Sequence, residues 1–265
     1  IALFDTVFNS AKVGESPSEG GHVGHLGHVA YTPEIKANSS KNIEMKKEER
    51  EIYKSIEQVP NVPKVPSASS TPCYELVTAP DALKAIADQI TTASEPVALD
   101  IETYGAKGGL DPWNGDIRLL SLAIPGVFPW LLDLKAIGYD LGPLGAALTA
   151  KTVLGHNIKF DALWLRVKCG LVLRNALDTM TASRLLTNGR KEPNDLGAII
   201  SRHLQINLPK DQGRSDWGAT ALTEEQLRYA ADDVHFLHAL HEKLHGELEK
   251  AGLRTVYGTE MNLLP

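Results

Sequence analysis

Cysteine is scarce in this sequence: Cys73 and Cys169 are the only two in 265 residues. Two thiols cannot form a disulfide framework or a four-cysteine zinc site, and they point to a reducing compartment. Positive charge is also in deficit, with 27 Lys and Arg against 33 Asp and Glu and a formal net charge of −6. Such a chain does not coat nucleic acid as a bulk polycation. Any contact with phosphates has to come from a local site that tolerates an acidic background, for instance by carrying bound cations. No apolar run approaches the roughly 18 residues that span a bilayer, so no membrane association is expected. The opening IALFDTVFNS has no basic flank and makes a poor signal peptide. Its first residue is not Met, as in a piece of something longer. GxGxxG and Gly-rich phosphate loops are absent.

Hydrophobic residues make up 43% of the chain, enough to bury a core, but they are unevenly spread. Over residues 1–72 leucine occurs only as Leu3 and Leu26. That stretch holds Gly-rich EGGHVGHLGHVA, the charge run KKEERE, and a Pro/Ser spacer in which Pro60, Pro63 and Pro66 favour extended backbone. It reads as a poorly structured N-terminal extension or linker, or part of an upstream module, with a helix over 44–58 as an option within it. His22, His25 and His28 lie there without acidic or Cys partners, so linker composition explains them better than a metal cluster does.

From residue 73 strands and helices alternate. PVALDIET, IRLLSLAI, FPWLLDL and TVLGHN read as strands. Helices are expected over 140–150, 158–169, 178–187 and 194–204. A single long helix is expected over 223–250, opened by Thr223 as N-cap with Gln226 three residues on. Asp178 reads as a further N-cap. The pattern predicts an α/β fold, a mixed sheet flanked by helices. His235, His238, His241 and His245 do not all share one face of the last helix and read as mostly surface residues.

Three carboxylate spacings stand out. Asp100 and Glu102, two apart in an apolar strand, share a face. Burying both calls for a compensating divalent cation, unless the strand ends there and the carboxylates meet solvent or cap a helix. Asn157 and Asp161 are four apart at a helix start, after a strand's carboxyl end, where sites cluster in open α/β sheets. Capping by Asn157 with a solvated Asp161 is the plainer alternative. Tyr229 and Asp233 are also four apart on one helix face, a spacing equally common for a surface Asp beneath a half-buried Tyr. Taken together, Asp100, Glu102, Asp161 and Asp233 offer four hard oxygen ligands suited to Mg²⁺ or Mn²⁺ rather than zinc. Two such metals about 4 Å apart are the usual arrangement for cleaving phosphodiesters.

DIET at 100–103, HNIKFD at 156–161 and YAADD at 229–233 resemble the three exonuclease motifs of the DEDD superfamily. The Tyr-x-x-x-Asp form resembles its DEDDy branch, which includes the proofreading domain of family A DNA polymerases and ribonuclease D. The resemblance covers roughly residues 75–250. It implies an RNase H-like fold over residues 73–255. It implies a phosphodiester hydrolase that removes nucleoside 5′-monophosphates from a 3′ end with two Mg²⁺ ions, Mn²⁺ being able to substitute. On this resemblance Asp100, Glu102, Asp161 and Asp233 are the metal ligands and Tyr229 positions the attacking water. Thr103 and Asn157 fall near the substrate strand. Tyr104 and Trp217 are candidate platforms for unpaired bases; Phe160 is a further candidate, better read as core.

The tail AGLRTVYGTEMNLLP is similar to the segment that joins exonuclease to polymerase in family A polymerases. It implies that 256–265 begins a linker to a polymerase domain in the same longer chain, and that the substrate is a single-stranded or frayed 3′ end of DNA. A ribonuclease D-like RNA exonuclease and a catalytically silent exonuclease-like DNA-binding domain are the alternatives. The expected location is the cytoplasm, or wherever DNA is replicated, and not outside the cell.

Overall fold

The structure, a computed structural model, describes residues 74–188, 190–208 and 212–262. The expected extension over 1–72, with its optional helix and three spaced histidines, lies outside the described residues.

Six strands form one sheet in the order β1-β4-β3-β2-β5-β6: β1 Glu75–Val77, β2 Val97–Gly105, β3 Gly115–Ala123, β4 Trp130–Asp133, β5 Thr152–Gly155 and β6 Asn175–Asp178. β2 and β4 pair with β3 antiparallel, while β1–β4, β2–β5 and β5–β6 are parallel. The mixed sheet matches expectation. The helices are α1 Leu83–Thr92, α2 Ala106–Gly109, α3 Leu134–Ile137, α4 Gly142–Ala150, α5 Ile158–Cys169, α6 Thr179–Thr187, α7 Leu196–Leu204, α8 Glu224–His235, α9 Leu237–Lys250 and α10 Arg254–Asn262.

Strand alternation divides the core. Val97, Leu99 and Ile101 pack with residues of α1, α4 and α5 on one face of the sheet. Ala98 points the other way, joining Ala123, Leu154 and the α8–α9 residues Val234 and Leu237. Leu119 and Leu131 share that second face with Leu227, Ala230 and Ala231 of α8. Side chains at 98, 100 and 102 therefore look toward α8. A separate cluster of Ala182, Ile199, Ile200, Phe236, Leu240, Leu244, Leu248 and Tyr257 binds α6, α7, α9 and α10 together.

Three expectations change. The long helix over 223–250 divides at Phe236, because the apolar stripe changes partner there: Leu227 to Val234 face the sheet, whereas Phe236, Leu240 and Leu244 face the other helices. His235, His238, His241 and His245 are half-buried rather than surface residues, and His238 Nε2 is bonded to the Pro96 carbonyl at 2.8 Å. The folded unit also runs past residue 255, the expected end, since residues 254–262 form α10.

Tyr257 explains why α10 docks. It is 4% exposed, and its hydroxyl accepts the Asp178 N–H at 2.9 Å and donates to the Asp178 carbonyl at 3.3 Å. Tyr257→Phe leaves that buried N–H without its partner and is expected to cost about 1–3 kcal/mol. Urea denaturation checks this; an unchanged midpoint would show that α10 contributes nothing to the fold.

Candidate active site

β2 supplies two side chains to the α8 face of the sheet. Glu102 is 6% exposed, and Asp100 keeps one edge open to solvent. The start of α8 is fixed by a reciprocal cap, in which Thr223 Oγ1 accepts the Gln226 N–H and Gln226 Oε1 accepts the Thr223 N–H. The apolar stripe of α8 then lies on the sheet, and Asp233 is carried in with it, 8% exposed. Carboxylate oxygens of Asp100, Glu102 and Asp233 all lie within 4.8 Å of one another.

Asp161 arrives by a different route. β5 pairs with β2 only through Val97 and Ala98, so beyond that point the flank of β2 is uncovered. The first turn of α5 fills it. Asp161, 2% exposed, accepts the Ile101 N–H at 3.1 Å, between Asp100 and Glu102 in the chain. Loss of hydration pushes the Asp100 carboxyl up to about 7. Loss of hydration, then repulsion from Asp100, holds the Asp161 carboxyl well above the usual carboxylate range. Acids crowded in this way, with only hard oxygen donors, fit a divalent cation of the Mg²⁺ or Mn²⁺ type.

Tyr229 sits one helical turn before Asp233 on the same face of α8 and is half-buried. Trp217 stands behind it, ring centroids 6.4 Å apart and planes tilted by 41°. At 2% exposure Trp217 has no open face for a base and serves as backing for Tyr229. The Tyr104 ring is likewise engaged, with Lys135 Nζ 5.4 Å from its centroid and Gly218 packed against its edge. Thr103 follows a register irregularity in β2, and its Oγ1 donates to the Gly109 carbonyl at 2.7 Å. Gly109 has φ +78°, and a Cβ there would lie 2.7–2.9 Å from Thr103 atoms, so no other residue fits.

Asn157 is exposed and left-handed at φ 62°, and its side chain makes no capping bond. Its N–H instead donates to Asp178 Oδ1 at 2.8 Å. Asp178 is the expected N-cap, accepting from the Met180 N–H and Thr181 Oγ1, and so joins the heads of α5 and α6. Phe160 packs into the core against Trp164, centroids 6.0 Å apart. Two features escaped the sequence reading. Leu110 and Trp113 stand 69% and 67% exposed on the loop between α2 and β3. The signal was present in AKGGLDPWNG, where large apolar residues interrupt turn chemistry directly after the first motif.

Residues 74–249 match the sequence model of a family described as 3′-5′ exonuclease. The chain is 33% identical to DNA polymerase I of Aquifex aeolicus over 177 residues, which is 67% of this chain and 28% of that protein. It is 25% identical to human exosome complex component 10 over 210 residues, 78% of this chain and 21% of that one. It thus spans less than a third of the length of either relative. Among solved structures, that of Escherichia coli RNase D, an exoribonuclease involved in structured RNA processing, is 27% identical with a TM-score of 0.62, covering 72% of this chain and 49% of that one. Among the described residues no helix is long and apolar enough to cross a membrane.

Proposed function

The chain belongs to the 3′-5′ exonuclease family, and from that premise we propose that it hydrolyses the 3′-terminal phosphodiester of single-stranded or frayed DNA, releasing nucleoside 5′-monophosphates. The observation that carries this reading is the convergence of Asp100, Glu102 and Asp233 within 4.8 Å, with Asp161 anchored beside them on Ile101. These four side chains would hold two divalent cations, Mg²⁺ with Mn²⁺ as substitute. When bound, such ions supply a nucleophilic water at neutral pH and charge stabilisation for the leaving oxygen.

The protein's own groups then have distinct tasks. The Tyr229 hydroxyl, one turn from Asp233, orients the attacking water, and Trp217 keeps the ring from swinging away. Asp161 has one oxygen occupied by the Ile101 N–H, which fixes its rotamer and leaves the other oxygen for a cation. The backbone after Thr103 and the exposed edge at Asn157 line the approach of the terminal nucleotide. Trp113 offers an open ring on which an unpaired base can stack.

Identity to a DNA polymerase supports DNA as substrate; on that reading the setting would be a polymerase domain in the same longer polypeptide and the activity proofreading. The likeness to RNase D supports the alternative, an RNA exonuclease. Matched DNA and RNA single strands of one sequence, assayed with Mg²⁺, separate the two. Faster release from DNA is expected, and a preference for RNA of ten-fold or more would reverse the assignment.

A further inference from the structure

A cavity of about 600 Å³ lies against β5 and β6, the strands that lead to Asp161 and Asp178 in the chain. Thr152 and Asn175, the first residues of β5 and β6, form part of its wall. Asn157 and Asp178 lie at or just past the carboxyl ends of the same strands, and Leu177, which also lines the cavity, directly precedes Asp178. Arg174, Ala176 and Leu177 continue that wall, and α9 and α10 supply the remainder.

The chemistry of this cavity differs from that of the whole molecule. The chain carries a net charge of −6, yet among the described residues no Asp or Glu lines the cavity, while Arg174 and Arg254 do. Arg174 is exposed, and no carboxylate within ion-pair distance of it is found among the described residues. Arg254 is held only by Glu249 at 3.4 Å, with the two side chains 53% and 65% exposed, a contact that a phosphate readily displaces. His241 and His245, one turn apart on α9 with ring centroids 5.5 Å apart, line the same cavity. Burial and the neighbouring histidines push the His241 pKa down to about 4, so that ring is a neutral hydrogen-bonding group near pH 7. Two guanidinium groups with no carboxylate argue against a metal cation. Leu177 and Met261 add apolar surface to the wall, and the two histidine rings add flat surface. Two arginines in such a wall, at a volume within the small-molecule range of roughly 300–1,000 Å³, match a phosphate joined to a flat ring.

We propose that this cavity is a ligand site that takes a nucleoside monophosphate, with the phosphate on Arg174 and Arg254 and the base against Met261 and the half-buried rings of His241 and His245. It is independent of the catalytic reading, since none of the four acidic residues contributes to it. Tyr257 both lines the cavity and hydrogen-bonds Asp178, whose carboxylate holds the Asn157 N–H. A ligand here therefore touches Tyr257, whose hydroxyl is bonded to the residue that braces the head of α5.

The test is calorimetric and NMR titration of the full chain with adenosine 5′-monophosphate, and separately with inorganic phosphate. Asp100→Asn/Glu102→Gln protein without divalent metal is used, so that the carboxylate site is silent. Expected are one bound nucleotide, shifted ring-proton signals of His241 and His245, and affinity for inorganic phosphate at least ten-fold weaker. Arg174→Glu with Arg254→Glu should weaken nucleotide binding at least ten-fold. Should that double variant fail to fold, Arg174→Gln, a change at an exposed loop position, should weaken it at least three-fold. No binding at millimolar nucleotide, affinity unaffected by the arginine changes, or inorganic phosphate binding as tightly as the nucleotide would each overturn the proposal. A 3′-blocked single strand that competes with the nucleotide for the same histidine shifts would reassign the anion to a strand backbone and overturn it too.

Discussion

Asp100→Asn combined with Glu102→Gln will lower 3′-end hydrolysis by roughly 10³-fold or more and will raise the melting temperature of the metal-free protein at pH 8. The first effect follows from removing two of the four proposed cation ligands. The second follows from the state of the metal-free site. The Asp100 carboxyl is pushed up to about 7 by burial, whereas in an unfolded chain it titrates near 4. Between those values the folded protein holds a proton that the unfolded chain has released. Stability contributed by this group is therefore present below about pH 4 and is lost as pH rises toward 7. Asp161, raised in the same direction, adds to the loss. Asn and Gln do not titrate, so the variant's advantage should be absent near pH 4 and full above pH 7. Millimolar Mg²⁺ should stabilise the wild type at pH 8 and leave the variant unmoved. Calorimetric scans at pH 4 and pH 8, with and without metal, read all of this. Retained hydrolysis, or a melting temperature at pH 8 below that of the wild type, would refute the cation-site reading.

The parts of this site that the sequence revealed are those set by short-range periodicity. Asp100 and Glu102 share a strand face and Tyr229 and Asp233 a helix face, whatever the rest of the fold does, and the Thr223 cap fixed where α8 begins. Asp161 was legible as a position but not as a contact, because its bond to Ile101 depends on β5 ending before β2 does. Trp217 illustrates a different limit. An indole in a polar, Gly-containing loop suits an exposed platform, and only the packing of that loop onto β3 and α8 turned it inward. α1 was passed over although Leu83, Ile86, Ala87 and Ile90 carry a plain helical spacing. β6 and α10 gave weaker signals, one being four residues long and the other burying a single side chain. Arg118 stood in an apolar strand with nothing local to mark it.

Arg118→Ala should be the most damaging single change outside the acidic cluster, costing about 3 kcal/mol or more and lowering kcat with it. Arg118 is 4% exposed on β3. Its Nε donates to Asp133 Oδ1 at 3.2 Å, and its Nη1 donates to the carbonyls of Trp217 and Ala219. Truncation leaves a largely buried Asp133 without its cation and two carbonyls without a donor. It also frees the loop that Gln226 grips from the other side, through Ser215 Oγ and the Asp216 carbonyl. That loop carries Trp217, and Trp217 backs Tyr229. Arg118 is thus a positioning residue for the Tyr229 hydroxyl, a role distinct from a purely structural one. Arg118→Lys keeps the charge but not the fork, so it should recover part of the stability and little of the rate. At a temperature where every variant is folded, Arg118→Ala should reduce kcat more than it raises KM. In a Tyr229→Phe background the same change should reduce kcat little further, because the group it positions is already gone. Independent, multiplicative losses in that cycle would show that Arg118 supports the fold without reaching the chemistry.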